Sequence, residues 1–376
     1  MSDTPPPCRL LFRSKEGIEV FSVVSDRDQE TSMVAPPKAA DRKFILKGET
    51  SYQSLLPDGS AVLVHRPDKG IFKVDLGNEN ETAADQPFFA QSARVQIMDV
   101  SPKGTYALTW ERGTADESQN NLKVWNTSTG ECVTGFRRKM INRSSWPYLQ
   151  WTHDEKFAFL LTTNEIRVYP GTFPQQTDTR FVDKIRIPGI TQMSFPSSAD
   201  INSVGKILFA AFIAKDKNKP SRAALYEYPL AAGSESAPAY PAIASKSLFQ
   251  VEEMSVHWSP KGDAALIALQ STVDNTGQSY YGSSSLYLMS QQTTNEAIAV
   301  PLPQEGPVLD VAWMPHAEKP PCFAVAAGRM PSMASLHNGR DAKATFLFGN
   351  RHQNTVSWSP HGRFVNLAGF GNLVRK

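Results

Sequence analysis

The residues of this chain whose types could do chemistry are its seven histidines, its three cysteines and a few paired acids, and their spacing decides what is open to them. The histidines are His65, His153, His257, His316, His337, His352 and His361. None stands in an HExxH pair or at another spacing that would put two imidazoles on one metal ion. His153, His316 and His361 fall instead in the same repeated turn, which loop geometry explains better than catalysis. Cys8, Cys132 and Cys322 are far apart and odd in number, so they make neither a CxxC metal pair nor a disulfide framework, and a reducing compartment fits them. Asp116–Glu117 and Glu252–Glu253 lie in loops or at strand starts. A two-carboxylate hydrolase needs its acids about 5–10 Å apart across one pocket. No GxxxxGK[ST] phosphate loop and no GxSxG nucleophile elbow occur. The run "GSSSL" (Gly282–Leu286) has no evident base, and "GFGN" (Gly369–Asn372) is too short for a dinucleotide fingerprint. The expectation is a non-enzyme with no catalytic residue, no metal site and no cofactor.

Cations and tyrosines offer binding chemistry. "FRRKMINR" carries Arg137, Arg138, Lys139 and Arg143; "KDKNKPSR" carries Lys215, Lys217, Lys219 and Arg222; "GNRHQN" carries Arg351 and His352. Such side chains can neutralise RNA phosphates, each contact adding salt-dependent affinity. Taken singly, any one cluster is better explained as a solvated loop. "SYYG" supplies Tyr280 and Tyr281, one of which could stack on a base or a partner protein. Adjacent strand residues point to opposite faces, so the other would pack inside.

The elements that must hold these residues are read from repetition. A turn recurs as "LPDG" at Leu56, "SPKG" at Ser101, "THDEK" at Thr152, "FPSS" at Phe195, "SPKG" at Ser259, "MPHA" at Met314 and "SPHG" at Ser359. The spacing is about fifty residues, the size of one propeller blade with variable loops. Before the turn a short strand ends in a large apolar residue, as in "YLQW", "SVHW", "DVAW" and "TVSW". Proline cannot donate to a ladder and so marks the strand's end, and the glycine two residues on accepts the positive φ of a tight turn. The next strand is almost wholly apolar ("YALTW", "FAFLL", "AALIAL"), as for a strand covered on both faces. Trp110, Trp125, Trp151, Trp258, Trp313 and Trp358 recur at matching strand positions and read as core, whereas Trp146 stands apart beside Pro147. "NTSTGECVTGF" has the Thr-Gly-Glu hairpin common between the third and fourth strands of propeller blades.

The expectation is an all-β, WD-repeat-like β-propeller with about seven recognisable blades, forming one domain over residues 1–376. With 376 residues, 40% hydrophobic and 20% charged, the chain can bury a core, and a net charge of +2 neither demands nor excludes nucleic acid. No apolar run reaches the roughly 18 residues of a membrane span. The opening "MSDTPPPCRLLF" lacks the basic flank and apolar stretch of a secretory leader. A soluble, cytoplasmic monomer without a membrane partner is expected.

Several stretches resemble one family. "SPKGTYALTWER", "NLKVWNTSTGECVTGF", "VDNTGQSYYG" (Val273–Gly282) and "SPHGRFVNLAGFGNL" (Ser359–Leu373) are similar to the N-terminal region of eukaryotic translation initiation factor 2A, and the likeness runs over residues 8–373. The resemblance implies a nine-bladed propeller that binds the small ribosomal subunit. It also implies delivery of initiator methionyl-tRNA without GTP, with contacts to tRNA, mRNA and other initiation factors made largely by a basic C-terminal extension. The family continues past "AGFGNL", whereas this sequence stops at "NLVRK". The resemblance therefore predicts a truncated last blade and an open seam, with the C-terminal blades and extension absent and residues 8–23 supplying part of the closing blade. The propeller subunit of initiation factor 3 looks similar in "SPHGRF", which leaves a protein–protein scaffold as an alternative. A propeller hydrolase or lyase with a central-channel site is the alternative of another class. It would need polar or metal-binding residues converging from the innermost strands.

Overall fold

The computed structural model describes residues 8–23, 42–67, 69–76, 87–90, 92–113, 120–173, 180–197, 205–216, 219–230, 240–249, 251–271, 283–293, 295–315 and 320–371. The chain divides into two compact units, Met1–Met140 with Phe173–Thr179, and Ile141–Thr172 with Arg180–Lys376.

The first unit holds three antiparallel sheets. Cys8–Ser14 (β1), Gly17–Val23 (β2) and Arg42–Lys47 (β3) pair in that order, so the segment 8–23 is a hairpin with a third strand beside it. Tyr52–Leu55 (β4), Ala61–Arg66 (β5) and Gly70–Asp75 (β6) form the second sheet. Val95–Val100 (β7), Tyr106–Glu111 (β8), Leu122–Asn126 (β9) and Cys132–Phe136 (β10) form the third. The alternation along β5 shows how they stack. Val62 and Val64 pack with Ile18 and Leu46 of the first sheet. Ala61 and Leu63 face the other way, onto Phe89, Ala107 and Trp125. One strand thus serves two cores, which is why its sequence is apolar at nearly every position rather than at every second one.

The second unit repeats this. Its sheets are Leu149–Trp151 (β11), Phe157–Leu161 (β12), Glu165–Pro170 (β13) and Asp183–Arg186 (β14); then Ile190–Ser194 (β15), Lys206–Ile213 (β16), Ser221–Pro229 (β17) and Ala244–Leu248 (β18). Next come Val251–Trp258 (β19), Ala264–Ser271 (β20) and Ser283–Ser290 (β21). Asn295–Glu296 (β22) runs parallel to β18, and Ile298–Ala299 (β23) completes the sheet of β19–β21. Val308–Trp313 (β24), Cys322–Ala327 (β25), Ser332–Asn338 (β26) and Ala344–Arg351 (β27) follow, and Thr355–Trp358 (β28) pairs with Val365–Ala368 (β29). Ala265 and Ile267 of β20 pack on Phe212 and Leu225 of the preceding sheet, while Leu266 packs on Phe323 and Val325 of the following one. Ala324 and Ala326 of β25 pack in turn on Val356 and Leu367. Antiparallel meanders stacked face to face in chain order are the blades of a β-propeller. No α-helix occurs among the described residues.

Two devices fix this repeat. The first is the serine of each Ser-Pro turn. Ser101 Oγ accepts the Tyr106 N–H at 2.9 Å, Ser259 Oγ that of Ala264 at 3.1 Å, and Ser359 Oγ that of Phe364 at 3.0 Å. Thr152 Oγ1 does the same for Phe157 at 3.2 Å. In each turn the backbone N–H of the Ser or Thr donates in return to the carbonyl of its partner residue, 2.8–3.0 Å away. Gly104, Gly262 and Gly362 hold φ of 78°, 69° and 61°, and Glu155 takes the same conformation at 56° without being a glycine. The second device is the tryptophan that ends an innermost strand. Trp258 Nε1 donates to Ser194 Oγ at 3.0 Å, Trp313 Nε1 to the His257 carbonyl at 2.8 Å, and Trp358 Nε1 to the Ala312 carbonyl at 3.0 Å. Each ties its sheet to the innermost strand of the sheet before it. Read from sequence as plain core, Trp258 and Trp358 are in fact half-buried, and their indole N–H groups act as links between blades.

Candidate nucleic-acid interface

The innermost strands of the second unit carry polar side chains, and their partners define their work. Gln150 Nε2 donates to the Met193 carbonyl and its Oε1 accepts the Phe195 N–H, both at 3.0 Å. Gln192 Oε1 accepts the Met254 N–H at 3.2 Å, and Asp310 Oδ2 accepts the Val356 N–H at 2.7 Å. These groups splice neighbouring sheets. Burial pushes the His257 imidazole below its ordinary pKa, with the Asp310 charge opposing. His337 is wholly buried; its Nδ1 donates to the Ala342 carbonyl at 3.0 Å, Ser335 Oγ donates to its Nε2 at 2.7 Å, and it stacks on Phe323. That Ser–His pair is sealed in the blade. Among the described residues no group of three His, Cys, Asp or Glu could hold a metal ion. Among the same residues no helix is long and apolar enough to cross a membrane.

The cation clusters separate in space. In the first unit, Asn121 clamps the backbone of Arg138, accepting its N–H and donating to its carbonyl at 2.8 Å each. Trp110 Nε1 reaches the same carbonyl at 3.3 Å. Arg137 and Arg138 are half-buried, the Arg137 guanidinium lying over Gly113, and Lys139 is exposed. Arg143 belongs to the second unit. It is exposed and opens the 3-10 turn Arg143–Ser145, which Asn142 caps through the Ser144 N–H at 3.1 Å. Arg351 and His352 are exposed at the end of β27. Lys217, Tyr280 and Tyr281, with the whole stretch 273–282, lie outside the described residues.

Lys215 and Lys219 converge on a cleft of about 920 Å³ within the second unit. One wall is the turn after β12 and the loop after β14, with Asn164, Arg186 and Gly189; the other is the β16–β17 turn, with Lys215, Lys219 and Arg222. Both walls are braced. The Asn164 carbonyl accepts the Ile187 N–H at 2.9 Å, its Oδ1 accepts the Gly189 N–H at 2.7 Å, and the Gly189 carbonyl accepts the Ala214 N–H at 3.0 Å. Asn164 presents two acceptors at once by adopting φ of 63°. Across the cleft, Asp216 and Lys219 exchange backbone hydrogen bonds at 3.2 and 2.8 Å, which holds Lys215 and Lys219 close in space. Arg222 Nη2 donates to Ser245 Oγ at 3.2 Å, and none of the four cations makes an ion pair among the described residues. Tyr226 and Tyr240 also line the cleft; burial raises the pKa of both phenols, with Arg222 opposing it at Tyr226. Arg186 and Asn164 escape a reading of the sequence because nothing in their own neighbourhoods sets them apart. They matter only because the fold brings them opposite a turn tens of residues downstream.

The chain has relatives among known proteins. A family model described as "Eukaryotic translation initiation factor eIF2A" matches residues 246–375. Eukaryotic translation initiation factor 2A of Dictyostelium discoideum is 30% identical over 280 residues, which is 74% of this chain and 42% of that protein. One component of eukaryotic translation initiation factor 3 from Xenopus laevis is 25% identical over 285 residues, 74% of this chain and 37% of that protein. A solved structure, "Crystal structure of the eukaryotic initiation factor", superposes with a TM-score of 0.67 at 22% identity, over 96% of this chain and 78% of that one; this likeness concerns the fold. The chain spans less than half the length of these two sequence relatives.

Proposed function

We propose that this chain, a relative of eukaryotic translation initiation factor 2A by sequence over three quarters of its length, is a non-enzymatic propeller module of a translation initiation factor that docks on the small ribosomal subunit. In this reading it serves GTP-independent delivery of initiator methionyl-tRNA in the cytoplasm, together with other initiation factors. The observation that carries the docking claim is the concave basic cleft between the braced loops of two neighbouring blades, where Arg186, Lys215, Lys219 and Arg222 gather. Ribosomal RNA presents phosphates, and four cations gathered about a single lining carboxylate, Asp216, leave net positive charge to meet them. The exposed Lys139, Arg143, Arg351 and His352 extend the basic surface of their own units.

Co-sedimentation of the folded chain with purified small ribosomal subunits tests this. Pelleting at low salt that fades as salt rises is expected; failure to pellet at low salt removes the ribosome claim. The likeness to the factor 3 component favours a second reading, a protein–protein scaffold. That reading predicts capture of purified factor 3 components in the absence of RNA.

A further inference from the structure

The cleft of the second unit says more than that the chain is basic. Its cations sit on opposite walls. Arg186 projects from the end of β14, Arg222 from the start of β17, and Lys215 and Lys219 from the turn between β16 and β17. Its volume of about 920 Å³ lies at the upper end of the range of small-molecule pockets, roughly 300–1,000 Å³. The lining also holds one carboxylate, Asp216, against the four cations, with Thr163, Thr191 and Ser247 adding hydroxyls, and the half-buried ring of Tyr240 closes one side. The walls are tied by backbone and Asn164 hydrogen bonds, so the cations are presented on a fixed frame. Surface lysines on solvated loops have no such frame.

A ligand fitted to this cleft carries more than one negative charge, is slim enough to enter between two turns, and has a flat face for Tyr240. A duplex of RNA is a broad rod, recognised across its shallow groove, and does not enter a concave slot; an acidic peptide has carboxylates but no flat face. We propose that the cleft binds a single-stranded RNA segment, with successive phosphates on the Arg186–Lys215–Lys219–Arg222 set and one base against Tyr240. This deepens the ribosome-docking reading and rests on it, by naming the feature of the RNA that the site takes.

The test uses the full chain and a fluorescein-labelled single-stranded RNA roughly twelve nucleotides long, within the site sizes known for such grooves. Anisotropy is followed between about 50 and 200 mM salt. Wild type is expected to bind with affinity that falls with salt. The double variant Lys215→Gln/Lys219→Gln is expected to bind at least tenfold more weakly. Its log–log salt slope should be shallower by about 1.4, two phosphate contacts at roughly 0.7 each. Tyr240→Ala is expected to lose about tenfold while Tyr240→Phe retains binding, because stacking needs the ring and not the hydroxyl. Lys343→Gln, on the exposed β26–β27 turn, is the unaffected control. A duplex of the same length is expected to bind more weakly, and polyglutamate is expected not to displace the strand.

The inference is overturned if wild type does not bind the strand at low salt, if the double variant keeps wild-type affinity and slope, or if duplex or polyglutamate competes as well as the strand. Co-sedimentation with small ribosomal subunits separates the two levels. Pelleting with wild-type affinity by the double variant means the cleft is wrong while docking stands; no pelleting by wild type removes docking itself.

Discussion

Replacing Ser101 by alanine tests whether the hydroxyl of the Ser-Pro turn holds the blades. Ser101 is 1% exposed and its Oγ is the acceptor for the Tyr106 N–H at 2.9 Å, at the start of β8. Alanine leaves that donor buried and unpaired, which costs about 1–3 kcal/mol. Taking about 2 kcal/mol, the melting temperature falls by roughly 4–8 °C for a unit of this size. The same change at Ser259, 5% exposed, strips the Ala264 N–H and also removes the 2.7 Å donation to Asp263 Oδ1, and is expected to cost about as much. At Ser359 the partner is Phe364, which is 74% exposed; water can take over the N–H, and the expected cost is about 0.5 kcal/mol. The order that matters, Ser101 and Ser259 both well above Ser359, follows from burial, because the three hydrogen bonds to the backbone N–H are nearly the same length. Thermal unfolding ranks the variants, and hydrogen exchange reads the Tyr106, Ala264 and Phe364 amides directly. Equal costs at the three sites, or the largest cost at Ser359, would refute the assignment of the turn to the hydroxyl.

Other outcomes follow from the same geometry. Trp313→Phe removes the indole donor to the His257 carbonyl at 2.8 Å and is expected to cost about 1–3 kcal/mol, with faster exchange in β19 as the sign that the link between two sheets is lost. Gly130→Ala, in the Thr-Gly-Glu hairpin, puts a Cβ 2.5 Å from the Phe88 carbonyl at φ of 75° and is expected to cost at least about 2 kcal/mol in a urea titration. Burial holds His337 below the ordinary histidine value of 6.5, so the unfolded chain takes up the proton first as pH falls. The stability tied to neutral His337 is therefore whole above that value and drains away as pH drops through the folded pKa. Urea midpoints at about pH 7.5 and about pH 5 should differ, and His337→Gln should flatten that difference.

The architecture is legible in the sequence where one residue type does one job. The apolar runs of β5, β8, β12, β16, β20 and β25 signal strands covered on both sides, and each is buried along nearly its whole length. The turn is legible as a position, but proline and glycine draw attention away from its mechanism. The signal for the hydroxyl is the recurrence of Ser101, Thr152, Ser259 and Ser359 at one place in four copies. The tryptophans read as core by size, and a size argument cannot reveal that the indole N–H reaches a neighbouring sheet. Of the basic clusters, "KDKNKPSR" contributes two lysines to the cleft because a single turn carries both. Arg186 and Asn164 cannot be found from sequence, since the cleft exists only where two blades bring distant loops face to face. "FRRKMINR" reads as one patch, yet Arg137–Lys139 and Arg143 fall in different units.

The measurement that bears most directly on the proposed role is co-sedimentation of the chain with purified small ribosomal subunits, run side by side for wild type and Lys215→Gln/Lys219→Gln. Salt-sensitive pelleting of wild type at low salt, and at least a severalfold loss for the variant, are expected. A folded wild-type chain that stays in the supernatant at low salt would contradict that role.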